Sequence, residues 1–224
     1  VTIAAVVPAL DEEARIGATI DALVAARIDE IVVADGGSRD RTAAIARARG
    51  AQVIDAPRGR ARQQNAGAAA TTAATLMFVH ADCRVPADAA SWIERTLARP
   101  GVVAGAFRTW TVDDAAPRRW SWLRGNDVRA RLGRTPYGDQ AIFLRRTTFD
   151  ALGGFPDQFM EDVELARRLK RRGAMPVVAR EVMVSGRRFL AQPVRSVVLC
   201  HVLPALYDLG VPPAQLAWLW RAVR

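Results

Sequence analysis

The opening half of the chain alternates short apolar, β-branched runs with helical stretches, and few architectures accept that rhythm. The runs fall at residues 2–7, 30–34, 52–55 and 75–80, and the helical stretches at 12–26, 41–49 and 60–70. Strand, helix, strand at this spacing implies right-handed crossovers and a parallel sheet. Ligands of such sheets sit outside the carboxyl ends of the strands, so chemistry is expected just past each run.

Beyond residue 102 the rhythm loosens. A longer strand is expected at 102–112, then an amphipathic helix over 117–132 carrying Trp120, Trp122 and Leu123. A strand at 141–145, a glycine-containing loop at 153–160 and a helix over 161–172 follow. The tail, 194–224, reads as two helices split by Pro212 and Pro213. No repeat or low-complexity linker interrupts the 224 residues, which read as one domain.

Composition excludes more than it selects. The net charge of +9 favours anionic partners, yet all the basic residues but Lys170 are arginine, as a GC-rich genome produces without any binding role. The arginines are not interleaved with aromatics as a nucleic-acid groove requires, so no nucleic-acid partner is expected. Cys83 and Cys200 have neither metal nor disulfide spacing, which suits a reducing cytoplasm. No signal-peptide pattern is present, although the start on an apolar run suits a missing initiator or short leader. The most apolar segment, 194–209, is interrupted by Arg195, His201 and Asp208 and is too short to span a bilayer.

Four acidic clusters lie at or just past these elements. Asp11, Glu12 and Glu13 follow the first run, and Asp35 with Asp40 frame a Gly36-Gly37-Ser38-Arg39 turn after the second. Asp82 follows the fourth, and Glu161-Asp162 opens the later helix. Singly, each has a plain explanation. Asp11 and Asp40 suit N-caps, Glu13 and Asp162 suit first turns, and the glycines permit a tight turn. Independent caps do not explain why so many carboxylates gather at one edge of one sheet.

Together these segments resemble the family 2 glycosyltransferases of the GT-A fold. The residues that carry the resemblance are 8–13, 35–42, Gly59 with Asn65 and Gly67, His80-Ala81-Asp82, Gly138-Asp139-Gln140, Glu161-Asp162 and Ser185 to Phe189. The combination of Tyr137-Gly138-Asp139-Gln140, Leu152-Gly153-Gly154-Phe155-Pro156 and residues 160–165 is similar to a small bacterial subgroup linked by genome context to arsenosugar-type pathways.

The resemblance implies a Rossmann-like, mostly parallel sheet flanked by helices, with a helical tail. It divides the chain into a nucleotide-sugar-binding half (1–110), an acceptor and catalytic half (111–190) and the tail (191–224). The implied reaction is inverting transfer of a sugar, commonly carried by uridine diphosphate, to an acceptor that is a small molecule or lipid-linked. Asp35 is then expected at the base, with Pro8 and Ala9 framing the ring and Glu12 near the ribose. Arg60 or Arg62 is expected at the diphosphate, because Gln64 stands where the family often keeps an arginine. Ala81 and Asp82 would contact the donor. The family's Asp-x-Asp pair ordinarily holds Mg²⁺ or Mn²⁺, but His80 fills its first position here. With Asp82 it makes a metal site that leans towards manganese. His80 also reads as a hydrogen-bonded strand-end histidine, and the two readings stand side by side. Asp162 is the implied general base and Glu161 its neighbour in the catalytic pair. Asp139, Gln140, Arg187 and Arg188 are implied acceptor contacts.

Two other enzyme classes account for less. A methyltransferase explains Asp35-Gly36-Gly37 but neither His80-Ala81-Asp82 nor Glu161-Asp162. A nucleotidyltransferase wants a glycine-rich basic loop where Pro8-Ala9-Leu10 stands. A non-enzymatic reading, a degenerate transferase that binds a sugar nucleotide or membrane as a scaffold, rests on the His80 substitution. The tail leaves three readings open: a helix closing the core, a homodimer contact, or an interfacial segment whose Trp218, Trp220, Arg221 and Arg224 meet the inner face of an anionic membrane.

Overall fold

The computed structural model describes residues 1–113, 127 and 136–222. Strand β1 (Ile3–Ala9) is the centre of the first half, with β2 (Glu30–Asp35) on one side and β4 (Thr75–Phe78) on the other, all parallel. β3 (Gln52–Asp55) extends β2, and the crossovers are α1 (Ile16–Ala25), α2 (Thr42–Ala48) and α3 (Arg60–Ala69). The strand period of two explains the layering. Ile3, Ala5 and Val7 face a core shared with Ile16, Ile20 and Leu23 of α1, whereas Ala4 and Val6 face Ala61 and Ala68 of α3. Both faces of β1 are therefore covered, which is why it reads as an unbroken apolar run.

The second half continues the sheet through β5 (Cys83–Arg84), α4 (Ala89–Leu97), β6 (Ala104–Val112) and β7 (Phe143–Arg145). It then adds α5 (Arg146–Ala151), α6 (Glu161–Lys170), β8 (Val177–Ser185) and the tail helices α7 (Arg187–Ala191), α8 (Pro193–Asp208) and α9 (Pro213–Ala222). The strand order is β3-β2-β1-β4-β7-β6-β8-β5. β7 runs against both β4 and β6, and β5 runs against β8, so the sheet is mostly but not wholly parallel. The expected helix over 117–132 lies outside the described residues, apart from Asp127. That carboxylate is buried and accepts hydrogen bonds from Thr109 and Thr111 of β6.

Several boundaries differ from the sequence expectation. β4 ends at Phe78 rather than residue 80, which leaves His80 and Asp82 in the loop before β5. α1 begins at Ile16, not residue 12; Asp11 turns the chain with a positive φ (53°), and the N–H groups of Asp11, Glu12 and Glu13 go to Ser38 Oγ (3.0 Å), Thr42 Oγ1 (2.7 Å) and Asp40 Oδ2 (3.0 Å). Asp11 and Asp40 thus lace two loops together, and Asp40 Oδ1 also accepts the N–H of Thr42, the first residue of α2, at 2.9 Å. Asp11 Oδ1 in turn accepts the Arg39 N–H at 2.8 Å.

Candidate active site

A cavity of about 980 Å³ opens at the carboxyl ends of β1 and β4. Its walls include Pro8, Ala9 and Glu12 after β1, and His80, Ala81 and Asp82 after β4. Asp139, Glu161 and Asp162 complete the polar floor, and Arg60 and Arg187 stand over it. Six of the loops between elements therefore converge on one space, as the strand-end rule requires.

Asp162 is held by the backbone at both of its carboxylate oxygens. Its Oδ2 accepts the Gly138 N–H at 2.7 Å and its Oδ1 accepts the Val163 N–H at 2.8 Å. Residue 138 must be glycine for this contact. A Cβ there would lie 2.8 Å from His80 Nε2 and 3.0 Å from Asp162 Oδ2. That double clash also shows that His80 and Asp162 approach the same backbone turn from opposite elements. Met160, the residue before α6, adopts the left-handed conformation (φ 66°), which turns the chain so that α6 starts at the cavity.

Glu161 sits deeper, 5% exposed, with Arg60 Nη1 3.4 Å from its carboxylate. Burial pushes its pKa from 4.5 to about 7; Arg60 opposes the rise and the charge of Asp162 adds to it. Arg187 bridges the two halves: it donates to Glu12 Oε2 at 2.9 Å, contacts the other oxygen of Glu12, and stands 3.4 Å from Asp82 Oδ2. His80, Asp82 and Cys83 bring one ligand atom each within 4.8 Å of one another. Burial, with the charges of Asp82 and Asp139, pushes the Cys83 thiol well above its ordinary value, so the donor set that fits a hard divalent cation is His80 and Asp82.

Other sequence candidates stand elsewhere. Arg62 is turned outward to Asp157 at 2.7 Å and is not among the residues lining the cavity. Asp35 is buried beside it, with both carboxylate oxygens accepting from Ser38, the shorter bond at 2.5 Å. Gln140 is fully buried: its amide donates to the Phe107 carbonyl at 2.9 Å and accepts the Tyr137 N–H at 3.0 Å. It holds the turn that presents Gly138 and Asp139 instead of facing an acceptor. The side chain of Arg188 lies outside the described residues.

Sequence reasoning missed two contributors. Gln63 donates to the carbonyls of Ala9 (2.8 Å) and Ala34 (2.9 Å), tying the ends of β1 and β2 together under the cavity. No sequence signal singled it out, because Gln63 stands among Arg60, Arg62, Gln64 and Asn65 in the polar first half of α3. The tail is the other. Leu199, Leu203 and Trp220 line the cavity, a role that none of the three readings of the tail had given them.

A doubly covered, mostly parallel α/β sheet with an acidic cavity at its strand ends is the class of fold that binds ligands outside the carboxyl ends of its strands. The sequence profile described as glycosyl transferase family 2 matches residues 4–155, and the chain belongs to that family. A 56-residue stretch, 24% of the chain, is 50% identical to glucosyl-3-phosphoglycerate synthase of Mycolicibacterium paratuberculosis and spans 17% of that relative. The mannosyltransferase PcManGT of Pyrobaculum calidifontis, in complex with GDP-Man and Mn²⁺, has the same fold: TM-score 0.68, 21% identity, 95% of this chain and 66% of that one. Glucosyl-3-phosphoglycerate synthase of Mycobacterium tuberculosis, with Mn²⁺ and UDP-Glc, superposes at TM-score 0.60 with 22% identity, covering 80% of this chain and 69% of that one. The architecture is the GT-A type that the resemblance implied.

Proposed function

We propose that the chain transfers a sugar from a nucleoside diphosphate to an acceptor hydroxyl with inversion, and that Asp162 is the general base. The observation that carries this reading is the placement of Asp162: its two oxygens are fixed by the Gly138 and Val163 N–H groups, in the cavity that also holds His80 and Asp82. In the proposed step the acceptor oxygen bonds to the anomeric carbon from the face opposite the diphosphate. The bond from that carbon to the diphosphate breaks, and the hydroxyl proton passes to Asp162. Arg60 and Arg187 contribute positive charge beside the departing group. Glu161 keeps Arg60 in place and orients the acceptor side with Asp139.

His80 and Asp82 are the residues that would hold Mn²⁺ or Mg²⁺. Such an ion, when bound, neutralises charge on the diphosphate. Support comes from the donor set itself and from the Mn²⁺ and UDP-Glc or GDP-Man named for the two structural relatives. Pro8, Ala9, Glu12 and Ala81 line the donor side, and Asp35 would reach a base only by exchanging its Ser38 partner. Release of nucleoside diphosphate from radiolabelled UDP- and GDP-sugars tests the reading. Metal-stimulated turnover, even as slow hydrolysis, is expected; binding without any turnover would favour the scaffold reading.

We further propose that the tail meets a membrane surface peripherally. Among the described residues no helix is long and apolar enough to cross a membrane. Val198 and Val202, however, lie one turn apart on α8 and are exposed, as are Leu209 just past its end and Trp218 of α9.

A further inference from the structure

The cavity has two unlike ends. Around Asp82, Asp139 and Asp162 it is polar. Beyond them, α8 and α9 supply Leu199, Leu203, Pro204, Ala217 and Trp220, with Phe159 from the loop before α6. This apolar wall is braced from behind, because Leu203 and Leu216 are buried against Met160 and Val163 at the start of α6. The same short segment therefore positions the reactive carboxylate and supports the wall. At about 980 Å³ the space is at the upper end of ligand pockets, roughly 300–1,000 Å³, and accommodates a second molecule beside a nucleotide sugar.

The charges argue in the same direction. Carboxylates outnumber guanidiniums seven to three among the lining residues. Two of those guanidiniums already face carboxylates, Arg60 at Glu161 and Arg187 at Glu12 and Asp82. A bound divalent ion is set against the donor's diphosphate and Arg62 against Asp157, but the lining keeps more carboxylates than guanidiniums, so an anionic acceptor meets like charge at the reactive end. Given the sugar transfer proposed above, on which this rests, we infer that the acceptor is an uncharged alcohol with an apolar body, its hydroxyl at Asp162 and its body along Leu199, Leu203 and Trp220.

The test titrates the full chain, saturated with Mn²⁺ and whichever of UDP or GDP it binds, with n-alkyl β-glucosides from butyl to octyl below their micellar limits. Affinity should rise about fourfold per added methylene. Leu199→Asn and Trp220→Ala should each flatten that gradient while leaving nucleotide affinity unchanged, which also certifies that the variants fold. A flat series with nucleotide binding intact overturns the inference and leaves sugar transfer standing, as does 3-phosphoglycerate binding tighter than octyl glucoside. Absence of nucleotide binding overturns both. Apolar alcohols reach this wall from solution or from a bilayer, and pelleting with phosphatidylcholine vesicles separates the sources. Pelleting only when the vesicles carry octadecyl glucoside assigns the bilayer; short-chain binding without pelleting assigns solution.

Discussion

Adjacent carboxylates at 161 and 162 are divided in role by their surroundings. Buried Glu161 keeps its proton up to about pH 7 in the native state but releases it near 4.5 when unfolded. The folded form thus binds more protons between those values, so the contribution to stability is complete below 4.5 and is lost as pH rises through 7. Thermal melts across that window should show wild-type stability declining, by about 3 kcal/mol at most, and Glu161→Gln should remove the decline. An unchanged slope in the variant would mean that Glu161 ionises freely. At the neighbouring turn, Gly138→Ala should lower turnover roughly tenfold to hundredfold, since a Cβ displaces both His80 and Asp162. Activity within twofold of wild type would contradict the close packing. The acidic residues of this site were legible only together, because each alone is explained by capping and their clustering is not. The fate of Gln140 was not, since nothing in Gly138-Asp139-Gln140 tells which side chain turns inward to Phe107.

Among the elements, the first three crossovers were legible because β1, β2 and β4 are covered on both faces and read as continuous apolar runs. β8 escaped notice for a physical reason. Its partners on β6 jump from Phe107↔Val178 to Arg108↔Glu181, so Ala179 and Arg180 are extra residues that break the period-two alternation. α4 carried a legible spacing in Ile93 and Leu97, both buried, and an aspartate, Asp88, at its N-cap position, although that carboxylate bonds Trp92 and Arg180 instead of the first-turn N–H groups. The close approach of α3 to β1 yields a prediction. A Cβ on Gly67 would lie 2.4 Å from Val6 Cγ1, so Gly67→Ala should destabilise by about 1–3 kcal/mol and lower Tm by several degrees. Combining it with Val6→Ala should restore part of the loss; a Tm equal to wild type for the single variant would show that helix and strand are less intimately packed.

For the molecule as a whole, the tail divides its apolar residues between two duties that sequence alone merged. Leu199, Leu203, Leu206, Leu216 and Trp220 pack inward with Met160 and Val163, whereas Val198, Val202 and Trp218 remain outside. Only a helix's orientation against its neighbours, which the three-dimensional structure supplies, separates the two sets. Vesicle sedimentation should therefore respond to Val202→Glu and Trp218→Ala with reduced pelleting on anionic vesicles and unchanged Tm. Equal pelleting of both variants and wild type would remove the membrane role. Truncation is the poorer test, because Leu216 is completely buried. The central claim is that one cavity joins a nucleotide-sugar site to a base at Asp162. It is tested most directly by Asp162→Asn in the full chain, measuring donor affinity by calorimetry and turnover of labelled donor in the same preparation. Donor affinity close to wild type with turnover reduced by ~10²-fold or more is the predicted result; turnover equal to wild type would contradict it.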